Sequence, residues 1–458
     1  MLNEVELMEE LPYYRTLQKP PQHHHQPPIS TAPHYPTAPR GGYRSTLDNR
    51  IAYDDETAIA IIAPDIRMPQ QLHHHNSPLS IESPSRYTPP GCADVLASLL
   101  ALALDVGTDA LACYVLFAEG RTLWAALAAA FVLLASAVCN ILSLWWYIRN
   151  QRTSVYAIAG TWKWVVRIIF HVLCMGLLYR YLQLLFNCLC RDHLEDREHR
   201  SVMEARKRRN AILHMTIKED RQTATLGLLH SFLESAPQLV LQLYTLAHRT
   251  EEDRQLVVIV QGACAASSLL QLAWSITCYN CTLHRTQPAR KKPNAAGKTL
   301  QFLWHLCTIG SRACTLALFT KEYHFWLFPF CIGHWGVMTI WVMHQQTRLC
   351  ASGSDNRQCR EYACNMVVGV AYVIYYLNVK AEPTRYKYSA YYAIVFAENC
   401  ALMTLWFLRN DPGVWYHIPA LVAVFSSFAS GIVFMLFYYG FCHRTLKQTN
   451  EKRAARCC

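Results

Sequence analysis

The chain has 458 residues, of which 52% are hydrophobic and only 16% are charged, against roughly 25% charged in ordinary soluble proteins. This composition excludes a soluble globular protein for most of the chain. Aromatic residues make up 12%, which is typical of a protein anchored at two membrane interfaces. The net charge of +11 comes from basic residues scattered between apolar runs. That pattern fits loops facing anionic lipid and argues against nucleic-acid binding.

The two ends of the chain differ in composition from the part between them. Residues 1–90 are rich in Pro, Tyr and His and include two His triplets, which predicts a disordered tail. No apolar signal segment follows Met1, so we expect this tail to be cytoplasmic. Residues 91–442 form a predicted transmembrane domain, and 443–458 form a second, basic tail. The chain ends in Cys457 and Cys458, a weak match to a lipidation signal.

The transmembrane domain contains ten apolar segments, each near the length of about 20 residues that crosses a bilayer as a helix. Their number and length predict an all-α, polytopic helix bundle. The segments lie at 92–118, 122–147, 164–188, 225–246, 255–278, 299–319, 323–345, 362–379, 388–409 and 414–439.

The distribution of positive charge refines the count of membrane crossings. Basic loops belong on the cytoplasmic side, and both the loop 189–224 and the C-terminal tail are strongly basic. Ten full crossings would place that loop outside, so we predict eight full helices and two partial or re-entrant ones, one in each half. Both termini are then cytoplasmic, and the halves suggest an internal repeat. Segments 164–188 and 362–379 are the candidates for the partial helices.

A polar stripe runs along one face of the fourth segment. Glu234, Gln238 and Gln242 recur at every fourth position, which places them on the same side of a helix. Pro237 lacks a backbone N–H, so the helix must kink or restart and free carbonyl groups near Glu234. Inside a bilayer such a feature marks a site or a joint.

Charged residues occur in several other apolar segments. Asp94, Asp105 and Asp109 share a sector of about 60° on the first helix, and each uncompensated charge at the bilayer centre costs on the order of 2.5–3.5 kcal/mol. One interpretation is that Asp94 lies at the interface and the others form structural ion pairs. The other is a hydrophilic track that passes ions, polar solutes or lipid headgroups. The charges in the other segments are Arg167, Arg180, Arg312 and Glu398.

Known catalytic motifs are missing from the sequence. Gly297, Lys298 and Thr299 resemble the end of a phosphate-binding loop, but Lys292 stands where its first glycine belongs. No hydrolase, metalloprotease or kinase signature is present. The 19 cysteines are interpreted as small buried residues. We therefore expect no enzymatic activity, no cofactor and no metal site.

Four stretches in a fixed order resemble the XK-related membrane proteins, and the resemblance extends from about Cys92 to Cys442. The stretch from Glu234 to Tyr244 is the most specific of them. The others are Asp105 to Asp109 followed by Leu123 to Leu127, Phe170 to Val172 with Arg180 to Gln183, and Tyr376 to Val379 leading to Glu398 and Asn399.

The resemblance implies a plasma-membrane phospholipid scramblase that equilibrates phosphatidylserine between leaflets without ATP and so marks dying cells for engulfment. It also implies eight spans, two partial helices and charged side chains in the core. By motif match, intramembrane charges of the lipid path would be Asp94, Asp105, Asp109, Glu234 and Arg312. Phospholipids and the membrane are the expected partners. The wider set of candidate site residues adds Arg167, Arg180, Gln238, Gln242 and Glu398.

The sequence leaves open how the protein is activated and which of several functions it has. Some relatives are switched on when a caspase cuts a tail at a D-x-x-D site, which neither tail contains here, although Asp54, Asp55 and Asp65 are weaker candidates. Constitutive control, phosphorylation or a partner membrane subunit are equally consistent with the sequence. A different function is a non-conducting anchor that docks a lipid-transfer or other membrane protein through the basic residues 191–221. A solute transporter is a third alternative.

Overall fold

The computed structural model describes residues 90–152, 161–195, 202–249, 254–285, 294–344, 362, 365–366, 368–377 and 385–442. Within these ranges the secondary structure is helical, with no β-strand. The two predicted tails lie outside the described residues, apart from Pro90. The same holds for the candidate caspase and lipidation sites and for most side chains of the basic stretch 191–221.

The α-helices whose bounds the structure describes are numbered α1 to α11 in chain order. A single 3-10 turn, His324–Trp326, precedes α9, and a π-helical turn, Tyr438–Cys442, follows α11. The helices are α1 Cys92–Ala118, α2 Thr122–Arg152, α3 Thr161–Val172, α4 Gly176–Glu195, α5 Val202–Leu233, α6 Ser235–Ala247, α7 Gln255–Arg285, α8 Ala295–Tyr323, α9 Leu327–His344, α10 Arg385–Arg409 and α11 His417–Phe437.

Six helical ranges in the described residues are long and apolar enough to cross a membrane: Cys92–Ala118, Thr122–Ile148, Gln255–Arg285, Ala295–His344, Tyr386–Arg409 and His417–Gly440. The range 295–344 contains two helices, α8 and α9. The chain folds back between them, since Arg312 of α8 lies over the ring of Phe330 of α9 at 5.3 Å. The predicted all-α polytopic membrane bundle is thereby confirmed. The exact number of crossings stays a prediction.

The third apolar segment folds back on itself instead of forming one helix. The chain reverses between α3 and α4 at Cys174, whose φ is 58°. Arg167 of α3 and Arg180 of α4 lie 4.5 and 4.2 Å from the ring centre of Tyr147, so the two arms are side by side. Helix α3 has 12 residues and is about 18 Å long, too short for a bilayer core of about 30 Å. This hairpin agrees with the predicted partial character of segment 164–188.

The segment 362–379 is also broken. Its helix ends at Ala371, and Tyr372 to Leu377 continue without helical structure. The freed carbonyl groups are nevertheless bonded: Arg312 Nε donates to Val373 O at 3.2 Å, and Tyr391 Oη donates to Tyr372 O at 2.8 Å. Irregular backbone is tolerated at membrane depth when protein covers it. Here side chains of neighbouring helices provide that cover.

The helix carrying the polar stripe breaks one turn before Pro237. Helix α5 ends at Leu233 and α6 begins at Ser235, because the carbonyl of Leu233 would need the N–H that Pro237 lacks. Pro237 then occupies the first turn of α6, where no N–H is required. Helix α5 also begins at Val202, well before the predicted start of the segment at 225, so its first part extends beyond the apolar run.

The described helices pack as two halves of similar order. In the first half α1 packs most extensively on α7, and in the second half α8 packs most extensively on α11. In each half, therefore, the first long helix packs against the last one. A broken element lies between them in both halves: the α3–α4 hairpin in one and the segment 362–377 in the other. This order supports the predicted internal repeat.

Candidate functional site

Four of the predicted polar residues, Asp105, Asp109, Glu234 and Gln238, lie close together inside the bundle. We call these four, together with Gln242 one helical turn further along α6, the acid cluster. Asp105 and Asp109 come from α1, Glu234 lies at the break between α5 and α6, and Gln238 and Gln242 follow on α6. All five side chains are fully buried. Glu234 therefore lies directly before α6, whose first residue, Ser235, bonds to Asp105 of α1.

Neutral donors hold the two aspartates of the acid cluster. Ser235 Oγ donates to Asp105 Oδ2 at 2.6 Å, and the Cys264 thiol of α7 donates to Asp109 Oδ1 at 2.9 Å. The side chain of Gln238 lies beside Asp109. Each aspartate thus receives hydrogen bonds from uncharged groups of the neighbouring helices, which orient the carboxyl groups without neutralising them.

The acid cluster contains three carboxyl groups, and one basic side chain of the described residues contacts them. His230 Nδ1 lies 2.8 Å from Glu234 Oε2, one helical turn away. Among the described residues, no Lys or Arg forms an ion pair with any of the three carboxyl groups. Neither amide atom of Gln242 has a hydrogen-bond partner there. The cluster therefore has the chemistry to receive a cationic group that also donates hydrogen bonds.

Arg312 and Glu398 form a separate site in the second half. Arg312 Nη2 lies 2.7 Å from Glu398 Oε2, and its Nη1 donates to Asn399 Oδ1 at 2.9 Å. His334 Nδ1 lies 2.7 Å from Glu398 Oε1, and its Nε2 lies 3.0 Å from Tyr372 O. These contacts bind α8, α9, α10 and the broken segment to one another.

Arg167 and Arg180 form a third site, around Tyr147 of α2. Both guanidinium groups lie over the tyrosine ring, a favourable cation–π arrangement. Arg180 Nε donates to Ser143 Oγ at 2.6 Å and Nη1 donates to Gln222 Oε1 at 3.2 Å. Both arginines are buried, and their contacts hold the α3–α4 hairpin against α2 and α5.

Asp94 lies apart from the acid cluster, at the end of the bundle where α1 begins. Its Oδ1 is 2.5 Å from Lys298 Nζ of α8. Eleven residues separate it from Asp105, which is about 16 Å along a helix. The ten predicted site residues thus occupy four places, and no hydrogen bond or ion pair among the described residues joins an arginine to the acid cluster.

The two interpretations of the charges each fit part of the molecule. Arg312 with Glu398, and Asp94 with Lys298, are ion pairs as the structural interpretation expects. The acid cluster is different, since in the described part of the chain its carboxyl groups have no basic partner other than His230. Within the described part of the chain, no three His, Cys, Asp or Glu side chains are grouped so that they could hold a metal ion.

Several residues of these sites were not predicted from the sequence. His230 precedes Glu234 by four positions, a spacing that places the two on one helical face and could have identified it. His334 lies in an apolar run, like the arginines that were singled out. Ser235, Cys264 and Tyr147 carry no sequence signal of this kind, because each is common on buried helix faces and only the tertiary packing selects it.

These features define a class: a polytopic α-helical membrane protein with two broken elements and carboxyl groups buried in its interior. The sequence matches the family model described as XK-related protein over residues 94–444. This chain belongs to the XK-related family. The resemblance drawn from four stretches is thereby confirmed, and the matched range extends over nearly the whole domain predicted at 91–442.

Proposed function

We propose that this protein is a phospholipid scramblase that equilibrates lipids between the leaflets of the plasma membrane without ATP and so exposes phosphatidylserine. The acid cluster is the observation that supports this proposal most directly. Its three buried carboxyl groups and the amide of Gln242 complement the ammonium group of a phospholipid headgroup. The family match supports a membrane protein of the XK-related family. Lipid scrambling and the exposure of phosphatidylserine on dying cells are the proposal made here.

The surface of α1 suggests how headgroup and acyl chains would separate during transfer. Asp105 and Asp109 face the interior, while Leu100, Leu104 and Leu111 are exposed on the opposite side. A headgroup would follow the polar side of the helix while its acyl chains stay in the surrounding lipid. Contact with the cluster would offset the cost of taking a charged group through the bilayer, equally in both directions, so no ATP is needed.

The test uses full-length protein in liposomes with fluorescent phospholipid in both leaflets. An external reductant bleaches the outer leaflet alone, unless the protein exchanges lipid between leaflets. We expect the signal to fall well past half. A signal that stalls near half, with the intact protein and after removal of the N-terminal tail, would overturn the proposal.

Removal of an acid-cluster carboxyl group should slow lipid exchange. We expect Asp109→Ala or Glu234→Ala to lower the rate by about tenfold, because a loss of about 1.4 kcal/mol of stabilisation in the barrier gives that factor. Asp411→Ala is the matched control: this carboxyl group is exposed and accepts a bond from the backbone of Gly413 at 2.9 Å. Equal rates in cluster and control variants would show that the cluster does not serve transfer.

The anchor alternative makes a different prediction in the same assay. A non-conducting anchor would leave the signal at half in liposomes but would retain a partner membrane protein during purification. Substitution of the basic residues at 191–221 would then release the partner, while Asp109→Ala would not. A solute transporter would instead move a water-soluble molecule into the liposomes without bleaching the inner leaflet.

A further inference from the structure

Two histidines lie side by side where α6 and α8 end. His248 is the C-cap residue of α6 and His324 is the C-cap residue of α8, and these two helices pack on each other. Both residues are exposed, and their ring centres lie 6.3 Å apart. We call them the histidine pair. In the predicted orientation of the chain, the pair lies at the extracellular end of the bundle.

Backbone carbonyl groups fix the tautomer of both rings. His248 Nδ1 lies 3.1 Å from Tyr244 O, and His324 Nδ1 lies 3.3 Å from Thr320 O. A carbonyl oxygen only accepts hydrogen bonds, so in the neutral ring each Nδ1 carries the proton and each Nε2 carries a lone pair. Neither Nε2 has a hydrogen-bond partner among the described residues. Metal-binding histidines donate their other ring N–H in this same way.

The separation of the two rings suits a single metal ion. A metal–nitrogen bond of about 2.1 Å and about 1.2 Å from nitrogen to ring centre place two imidazoles on one ion about 5.4 Å apart at a tetrahedral angle, and about 6.6 Å apart on opposite sides. The observed 6.3 Å lies within this range. The spacing therefore allows an ion to bridge the pair with little movement of either helix.

The helix ends make this place favourable for a cation. The last carbonyl groups of a helix carry partial negative charge and stabilise cations nearby, and two helices end at the pair. Lys321 brings a positive charge to the last turn of α8, but Glu322 Oε1 lies 3.5 Å from its Nζ and offsets that charge.

The backbone of His324 provides a second, independent observation. Its φ is 43°, in the region that favours glycine, and glycine is also the residue most often found just after a helix. Any other residue in this conformation is strained, and such strain collects at functional positions. The imidazole of His324 therefore has a use other than folding.

The ligand type selects the kind of ion. Imidazole nitrogen suits Zn²⁺, Cu²⁺ and Ni²⁺, whereas Ca²⁺ and Mg²⁺ prefer oxygen ligands. In the described part of the chain, no third His, Cys, Asp or Glu side chain completes a metal-binding group with the pair. Water would fill the remaining coordination positions, so the ion would exchange with the solution.

We propose that the histidine pair is a binding site for a divalent transition-metal ion, Zn²⁺ in particular, which ties the end of α6 to the end of α8. This site does not depend on the proposed lipid transfer. Because α6 belongs to the first half and α8 to the second, the bound ion joins the two halves. The two histidines are far apart in the chain, so no sequence spacing could predict the site.

The unfolding temperature of the full-length protein in detergent tests the site, because an ion that binds the folded chain stabilises it. We expect Zn²⁺ to raise the unfolding temperature of the wild type by several degrees, an excess of chelator to reverse the shift, and Mg²⁺ to cause none. His248→Asn and His324→Asn should each abolish the shift. A wild type without a Zn²⁺-dependent shift, or an undiminished shift in both variants, would overturn the proposal.

Two control variants test whether other histidines hold the ion. His344→Asn removes an exposed histidine at the end of α9. A tail variant replaces the triplets His23 to His25 and His73 to His75 with asparagine. Both variants should keep the full Zn²⁺-dependent shift. Loss of the shift in the tail variant alone would assign the ion to the tail and contradict the site.

His324→Gly guards against misfolding, because glycine adopts a positive φ without strain. Without metal, we expect this variant to unfold at or above the wild-type temperature, and Zn²⁺ should not change that temperature. A Zn²⁺-dependent shift equal to that of the wild type would refute the role of His324.

The number of bound imidazoles is a further measurement. One equivalent of Cu²⁺ added to the tail variant should give an electron paramagnetic resonance spectrum with two nitrogen ligands. The spectrum should lose at least one of them when His324→Gly is added to the tail variant. An identical spectrum in both proteins would show that the ion binds elsewhere.

Discussion

Arg312 illustrates how a single side chain connects distant parts of this bundle. Its guanidinium group is fully buried and bonds to Glu398, Asn399 and the carbonyl of Val373, while it lies over the ring of Phe330. A buried arginine with this many partners is well compensated, and the loss of one partner leaves charge without a counter-ion. Its role in the second half is therefore to hold helices together.

At this scale we expect Glu398→Gln to destabilise the protein by about 2 kcal/mol. Breaking a buried ion pair costs about 3–5 kcal/mol, and the value is reduced here because the Glu398 side chain keeps 22% of its surface exposed. The free energy of unfolding in detergent measures the effect. Glu322→Gln, which weakens a 3.5 Å pair with Lys321, should cost less than about 1 kcal/mol. Similar costs for both variants would contradict this account.

Among the helices, three prolines occupy the same position with different consequences. Pro237, Pro329 and Pro419 are each the third residue of a helix, in the first turn where the missing N–H is tolerated. Helices α9 and α11 begin after a chain reversal or an irregular connection. Helix α6 begins one residue after α5 ends, so only Pro237 maintains a break within an otherwise continuous pair of helices.

We predict that Pro237→Ala lowers the rate of lipid exchange by several-fold with little effect on stability. The new N–H can bond to the carbonyl of Leu233, which would straighten the joint and turn Glu234 away from Asp105. Reductant assays in liposomes and unfolding temperatures in detergent measure the two effects. Pro329→Ala, at the corresponding position of α9, should leave the exchange rate unchanged. A normal rate for Pro237→Ala would show that the break has no part in transfer.

The helices and their breaks also show which parts of the fold could be predicted from the sequence. Hydropathy predicts the helices, and the balance of positive charge predicts one partial segment in each half, because both signals depend on local composition. Segment 164–188, with its Arg and His residues, and the short segment 362–379 are the candidates. The joint was expected near Pro237 but falls at Glu234, since the missing hydrogen bond affects the carbonyl four residues earlier. The partners of Asp109 and Arg180 are neutral side chains of other helices, and such contacts depend on packing that one sequence does not encode locally.

As a whole, the molecule is organised as two halves, each joined by its first and last long helix. Contacts between the halves also exist, since α8 packs on α6 and α7, and Lys298 bonds to Asp94 across them. The equivalent order of elements fits a duplicated unit. A duplicated unit implies that each half holds much of the information needed for its own packing.

The two halves should therefore reassemble when they are made as separate chains. A break between Arg285 and Asn294, where the described parts of the two halves end and begin, removes no helix from either half. We expect co-expressed fragments 1–289 and 290–458 to purify together and to retain at least a measurable lipid-exchange rate. Fragments divided within α8, after Arg312, are the control and should not associate. Failure of the first pair to co-purify would contradict independent packing of the halves.

The distance along the chain between Arg312 and Glu398 has a consequence for biogenesis. The two residues are 86 positions apart, and a ribosome adding roughly 5–20 residues per second needs about 4–17 s to produce the second after the first. During that time α8 carries a guanidinium group whose carboxylate and carbonyl acceptors do not yet exist. We therefore expect α8 to remain beside the insertion machinery, or near the water interface, until α10 is synthesised. The ion pair would then couple the order of translation to the closing of the second half.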